Sequence, residues 1–127
     1  MEKIVINGGK PLSGEVSISG AKNAALGILP ACILTEETMV IENLPDIQDI
    51  RNYIIMLDKL GARLEKNGDV LKVEPSHIKF ENIVNIEEES TKMRASYYML
   101  GALLSKYKKV RLPLPGGCAI GARPIDM

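Results

Sequence analysis

The sequence predicts an α/β chain, on three observations. Short runs with the two-residue alternation of strands lie between longer stretches with the helical spacing of apolar residues. The dipeptide Asn67-Gly68 separates two of the short runs and is the strongest local signal of a hairpin. The order of elements also repeats. Strand, helix, strand, proline-started helix and hairpin run from residue 15 to 74, and a second series begins near residue 83. The second series stops on a helix start, so the chain is expected to be a truncated part of a longer one.

Taken in order, residues 3–6 form an apolar run closed by Asn7-Gly8-Gly9, a strand and a turn. Residues 15–19 alternate polar and apolar, and Gly20 ends that strand. Residues 21–34 are apolar on nearly all sides, which predicts a buried helix. Gly27 and Pro30 predict a kink or a late start within it. Lys22 and Asn23 stand at its head. A cation there opposes the helix dipole, and such local violations gather at functional sites.

Residues 39–42 read as a strand. Pro45, Asp46 and Asp49 then open a helix carrying Ile47, Ile50, Ile54, Leu57 and Leu60 on its apolar side. Gly61 is placed to end it. Residues 62–66 and 69–74 are the arms of the hairpin. A strand is expected near 83–86. Ser90 or Thr91 is expected to cap a helix running to about Ser105, with the apolar stripe Met93, Tyr97, Leu100 and Leu104. Arg94 and Tyr98 lie on a neighbouring face, one turn apart. Residues 108–112 read as a strand, and Arg123-Pro124 as the start of a further helix.

Composition excludes several classes. The 127 residues fit one domain at most, 46% hydrophobic and 25% charged. Sixteen basic residues balance sixteen acidic ones, which leaves no electrostatic footprint for nucleic acid or an anionic membrane. With no Trp and one Phe, base stacking on aromatics is not a theme. Cys32, Cys118 and the single His77 have no metal-ligand spacing, so no metal or other cofactor is expected. No leader pattern opens the chain, and no apolar run nears the ~20 residues that span a bilayer. A cytoplasmic location with reduced thiols is expected.

Chemistry concentrates near the end. Pro113 and Pro115 break the last strand run, Gly116, Gly117 and Gly121 surround Cys118, and Arg123-Pro124-Ile125-Asp126 follows. Glycines let a backbone approach a ligand, and amides at a helix start favour anions. A thiol with pKa ~8.5 serves as an acid near neutrality, or as a nucleophile where a positive field lowers that value. Arg123 and Lys22 are candidate phosphate ligands, and Arg94 is either another or surface decoration. Cys32, inside an apolar helix, reads as a core residue.

Three of these stretches carry a family resemblance: Ser19-Gly20-Ala21-Lys22-Asn23-Ala24, Met93-Arg94-Ala95-Ser96 and residues 115–126 around Cys118. They resemble, in order and spacing, the UDP-N-acetylglucosamine enolpyruvyl transferases of bacterial peptidoglycan synthesis. The related shikimate-pathway enolpyruvyl transferases share the fold but lack the cysteine loop. The resemblance implies an inside-out α/β barrel of repeated β/α units, helices buried and sheets outside. In such an enzyme, two domains close on the substrates. Residues 1–20 would belong or link to the other domain, residues 21–76 would be a first repeat unit, and 77–127 a truncated second.

The resemblance also implies roles. Lys22, Asn23 and Arg123 would contact phosphoenolpyruvate. Arg94, Arg123, Pro124, Ile125, Asp126 and Met127 would contact UDP-N-acetylglucosamine. Cys118 would be the general acid and the target of the antibiotic fosfomycin. No metal is required. The aspartate base of the family lies outside this chain, so the chain alone is expected to be inactive, and buried surface left open favours self-association. Tyr98 departs from the Trp of some members. Two other readings remain: a truncated, non-catalytic UDP-sugar-binding or interaction module, and a shikimate-pathway enzyme, which the cysteine loop disfavours.

Overall fold

The computed structural model describes residues 3–113. Its elements are helix α1 (Lys22–Ala31), strand β1 (Met39–Ile41), helix α2 (Gln48–Leu60), strands β2 (Arg63–Asn67) and β3 (Val70–Glu74), and helices α3 (Glu87–Thr91) and α4 (Tyr97–Tyr107). 3-10 segments at Cys32–Leu34, Pro75–His77, Phe80–Ile86 and Arg94–Ser96 join them. The sheet is antiparallel with β3 between β1 and β2. Met39 pairs with Val73, and Leu64 pairs with the same residue from the other side. Leu71 and Val73 alternate onto the core face, as the two-residue period requires.

The core lies between this sheet and the helices. From α2 it takes Ile50, Tyr53, Met56, Leu57 and Leu60, spaced by three and four so that one stripe is buried. From α1 it takes Ala25, Leu26, Leu29 and Pro30, followed by Cys32 and Ile33. α1 packs on α2 and on α4.

The local signals hold. In the hairpin, Gly68 and Asp69 form the two-residue connection, with Asn67 paired to Val70, so the turn sits one residue later than the Asn67-Gly68 reading. Gly68 has φ +59, the left-handed value its position demands. Gly61 closes α2 at φ +106, with its N–H on the Asp58 carbonyl and the Ala62 N–H on that of Leu57. A Cβ at Gly61 would stand 2.8 Å from the His77 carbonyl oxygen. Gly61→Ala is therefore expected to lower stability by about 1–3 kcal/mol, from left-handed strain and the clash together. A fall in the urea midpoint at unchanged slope checks this.

Several expectations are corrected. Residues 3–6 and 15–19 are not strands. Among the described residues no sheet edge reaches them, and Ile4, Ile6, Val16 and Ile18 stand exposed. α2 begins three residues after Pro45, because Ile47 is still extended and Asp46 is held by Arg51 at 2.8 Å outside the helix. Residues 83–86 belong to a 3-10 turn rather than a strand. Phe80, Ile83 and Ile86 recur at three residues, the spacing that turn stacks on one side, and it packs on α2.

The single helix expected over 91–105 is interrupted: α3 ends at Thr91, Met93 is extended, and α4 begins only at Tyr97. Ser90 and Thr91 donate back to the Glu87 and Glu88 carbonyls, so they close α3 instead of opening α4. The buried side of α4 is Met99, Ala102 and Leu103, while Leu104 of the expected stripe is exposed. After Tyr107, Lys108 turns left-handed at φ +63 and residues 109–113 form no strand. Val110 and Leu112 instead lean singly on the core. α1 runs through Pro30 in its last turn and tightens into the 3-10 turn. It is buried on one face only. Ala24, Gly27, Ile28, Ala31 and Leu34 form an exposed apolar face.

Candidate functional site

Lys22 is the first residue of α1. No side chain caps that helix and no acid lies in its first turn. The missing negative charge comes from elsewhere: Lys22 Nζ is 3.0 Å from Asp49 Oδ2 in the first turn of α2. Asn23 follows Lys22 on the exposed head of α1. The backbone reaches this head through a tight passage. A Cβ at Gly20 would lie 1.9 Å from the Asn43 carbonyl oxygen, so only glycine fits there.

Arg94 opens the turn that leads into α4. The turn is fixed from two sides. The Tyr53 hydroxyl, from the middle of α2, donates to the Ala95 carbonyl. Ser96 Oγ lies 2.7 Å from the Ser90 carbonyl oxygen and 2.8 Å from that of Met93. Asp49 and Tyr53 are four residues apart and share a face of α2. One helix thus ties down the Lys22 side chain and the backbone beside Arg94. Tyr98 is exposed on the first turn of α4.

A third contact braces this region. Glu89 is buried and accepts from Lys59 Nζ at 2.6 Å, with Lys92 Nζ at 3.8 Å. Its Oε2 is buried without a hydrogen-bond partner. The Lys59 ammonium holds the Glu89 carboxyl below its ordinary range. The folded value is depressed, so the pair's stabilisation is complete above the unfolded value of about 4.3 and is lost as pH falls through the folded one. Glu89→Gln is therefore expected to flatten the loss of stability below about pH 4. Urea midpoints measured from neutral to acid pH check this.

Cys32 is a core residue, as read from the sequence. It is buried, its Sγ is 3.5 Å from the Ile28 carbonyl oxygen, and burial pushes its thiol up, away from reactivity. Among the described residues no cluster of His, Cys, Asp or Glu could hold a metal. A cleft of about 560 Å³, with Ser17, Ser19, Asn43, Asp46, Lys66 and Asp69 in its walls, does not include Lys22, Asn23 or Arg94. Cys118, Arg123, Pro124, Ile125, Asp126 and Met127 lie outside the described residues.

Sequence reasoning passed over Asp49 and Tyr53 as positioning groups. Asp49 read only as a helix-start acid, and Tyr53 was absent from the expected stripe. Its spacing from Ile50 and Leu57 would have placed it there.

An antiparallel three-stranded sheet backed by helices makes the described residues an α/β fold. The enolpyruvyl transferase NikO from Streptomyces tendae matches it with a TM-score of 0.60 at 25% identity, over 79% of this chain and 23% of that one. The chain belongs to the EPSP synthase (3-phosphoshikimate 1-carboxyvinyltransferase) family, which matches residues 6–127. UDP-N-acetylglucosamine 1-carboxyvinyltransferase 3 of Caldanaerobacter subterraneus subsp. tengcongensis is 49% identical over 126 residues, covering 99% of this chain. UDP-N-acetylglucosamine 1-carboxyvinyltransferase 2 of Clostridium acetobutylicum is 46% identical over 127 residues. The chain spans 30% of the length of each of these relatives.

Proposed function

We propose that this chain is part of a UDP-N-acetylglucosamine 1-carboxyvinyltransferase, acting in peptidoglycan synthesis. The observation that carries the reading is the 49% identity, over 99% of the chain, to a protein of that name. The family takes its name from the shikimate enzyme, but the relatives at 49% and 46% identity and the glycine-rich stretch around Cys118 favour the UDP-sugar.

The reaction assigns work to each group. The sugar 3′-hydroxyl adds to C2 of phosphoenolpyruvate while C3 takes a proton. The tetrahedral intermediate then loses a proton from C3 and expels phosphate from C2. Cys118 is the acid for C3. Lys22, Asn23 and Arg123 hold phosphoenolpyruvate, with the cations balancing its phosphate and carboxylate. Arg94 and residues 123–127 hold the nucleotide sugar. The base and further cations come from outside this chain, and no metal enters. The reaction is placed in the cytoplasm. Among the described residues no helix is long and apolar enough to cross a membrane.

In this reading residues 21–76 and 77–127 are successive β/α units of an inside-out barrel. The apolar face of α1 points to the barrel's interior, and residues 1–20 run to the other domain. In the chain by itself these surfaces stay open, which favours self-association. A coupled phosphate-release assay tests the function. The chain alone is expected to give no turnover. A chimera in which it replaces the matching residues of the Caldanaerobacter relative is expected to turn over both substrates.

A further inference from the structure

We infer that Asp49 is a positioning residue: its carboxylate fixes the Lys22 ammonium at the head of α1 and so aims that cation at the anionic substrate. The inference rests on the reading of Lys22 as a phosphoenolpyruvate ligand. Lysine is a point charge on a flexible four-carbon stem, and it reaches an anion with three rotatable donors. Left to itself at a half-exposed helix start, it samples many rotamers. Here one donor is taken by Asp49 Oδ2 at 3.0 Å. The other two remain for a ligand, in a direction that the first contact sets.

Asp49 is fit to act as the fixed point. It sits on α2 one residue before Ile50 and one turn before Tyr53, which do not move independently of the core: Ile50 is 1% exposed and Tyr53 is fully buried. Tyr53 also binds the Ala95 carbonyl, so the helix that aims Lys22 is the one that holds the Arg94 turn. A shift of α2 would move both cation-bearing segments together. Sites built on rigid elements hold their groups more closely than sites on loops.

The ion pair links residues 27 apart in sequence and joins two helix starts, where α1 supplies a cation and no acid of its own. As a stability device it is weak, because both partners are substantially exposed to water. Geometry for a ligand explains its place better than stability does. A nearby carboxylate also opposes an incoming anion, but solvent screens that repulsion.

The test uses the chimera described above, trace acetylation of its lysines read residue by residue, and phosphoenolpyruvate as protecting ligand. Asp49→Asn is expected to speed acetylation of Lys22 several-fold in the ligand-free chimera, leave Lys3 and Lys79 unchanged, and keep the urea midpoint near that of the parent chimera. It is expected to raise the phosphoenolpyruvate concentration that half-protects Lys22 several-fold, with Asp49→Glu recovering part of the loss. Equal acetylation of Lys22 in both proteins would overturn the inference, since nothing is then being held. Equal protection by phosphoenolpyruvate would also overturn it and leave the Lys22 reading intact. If Asp49→Asn changes acetylation but phosphoenolpyruvate protects neither protein, the Lys22 reading itself fails and the inference falls with it.

Discussion

Replacing Cys118 with alanine in the chimera is expected to cut phosphate release by about 10²–10⁴-fold, the ordinary effect of removing a positioned general acid. The loss should fall on kcat. In the proposed reading the substrates are held by charged groups elsewhere, namely Lys22, Arg123 and Arg94, and binding that is equal in ground and transition states acts on KM. Serine is expected not to rescue. Its hydroxyl is smaller and more polar than the thiol and holds its proton far too tightly to give it up near neutrality. Steady-state kinetics of the three proteins, with each substrate varied in turn, check both statements. A chimera that keeps its kcat without the thiol would remove Cys118 from the chemistry.

The second large effect is structural. Tyr53→Ala is expected to lower stability by about 3–5 kcal/mol through the cavity alone, because the ring is fully buried at the centre of the core. It also strips the Ala95 carbonyl of its donor. Natural domains hold about 5–15 kcal/mol in total, so this variant is expected to be largely unfolded under mild stress. Tyr53→Phe separates the two contributions. It keeps the packing, loses the hydrogen bond, and is expected to cost about 1–2 kcal/mol. Burial raises the Tyr53 phenol well above its ordinary value, so the hydroxyl stays a donor through the range in which the protein is handled. Urea titrations at neutral pH check the order wild type, Phe, Ala. Equal midpoints for wild type and Phe would mean that the Ala95 contact contributes nothing.

What the sequence made legible follows the range of the physics involved. Gly61 and the hairpin around Gly68 are decided within a few residues, by backbone angles that only certain residues reach. The amphipathic stripe of α2 is equally local. Strand pairing is not. Residues 15–19 alternate as a strand should, yet alternation does not say which edge will receive them, and no edge among the described residues does. Residues 80–86 misled differently: Phe80, Ile83 and Ile86 have the three-residue period of a 3-10 turn, a shape with few sequence markers. Ser90 and Thr91 carry the side chains of helix caps but bond backward to close α3.

The site divides along the same line. Lys22, Asn23 and Arg94 could be named because they sit in recognisable motifs. Asp49 and Tyr53 could not. Their partners lie 27 and 42 residues away, and each acts on a neighbour rather than on a ligand. Only the folded chain brings α2 against both the head of α1 and the turn before α4.

The most direct test of the central claim is substrate choice in the chimera. Phosphate release would be followed with phosphoenolpyruvate and either UDP-N-acetylglucosamine or shikimate 3-phosphate. Turnover with the nucleotide sugar and none with the shikimate ester is the predicted result. A folded chimera that released phosphate only with shikimate 3-phosphate, or with neither acceptor, would contradict it.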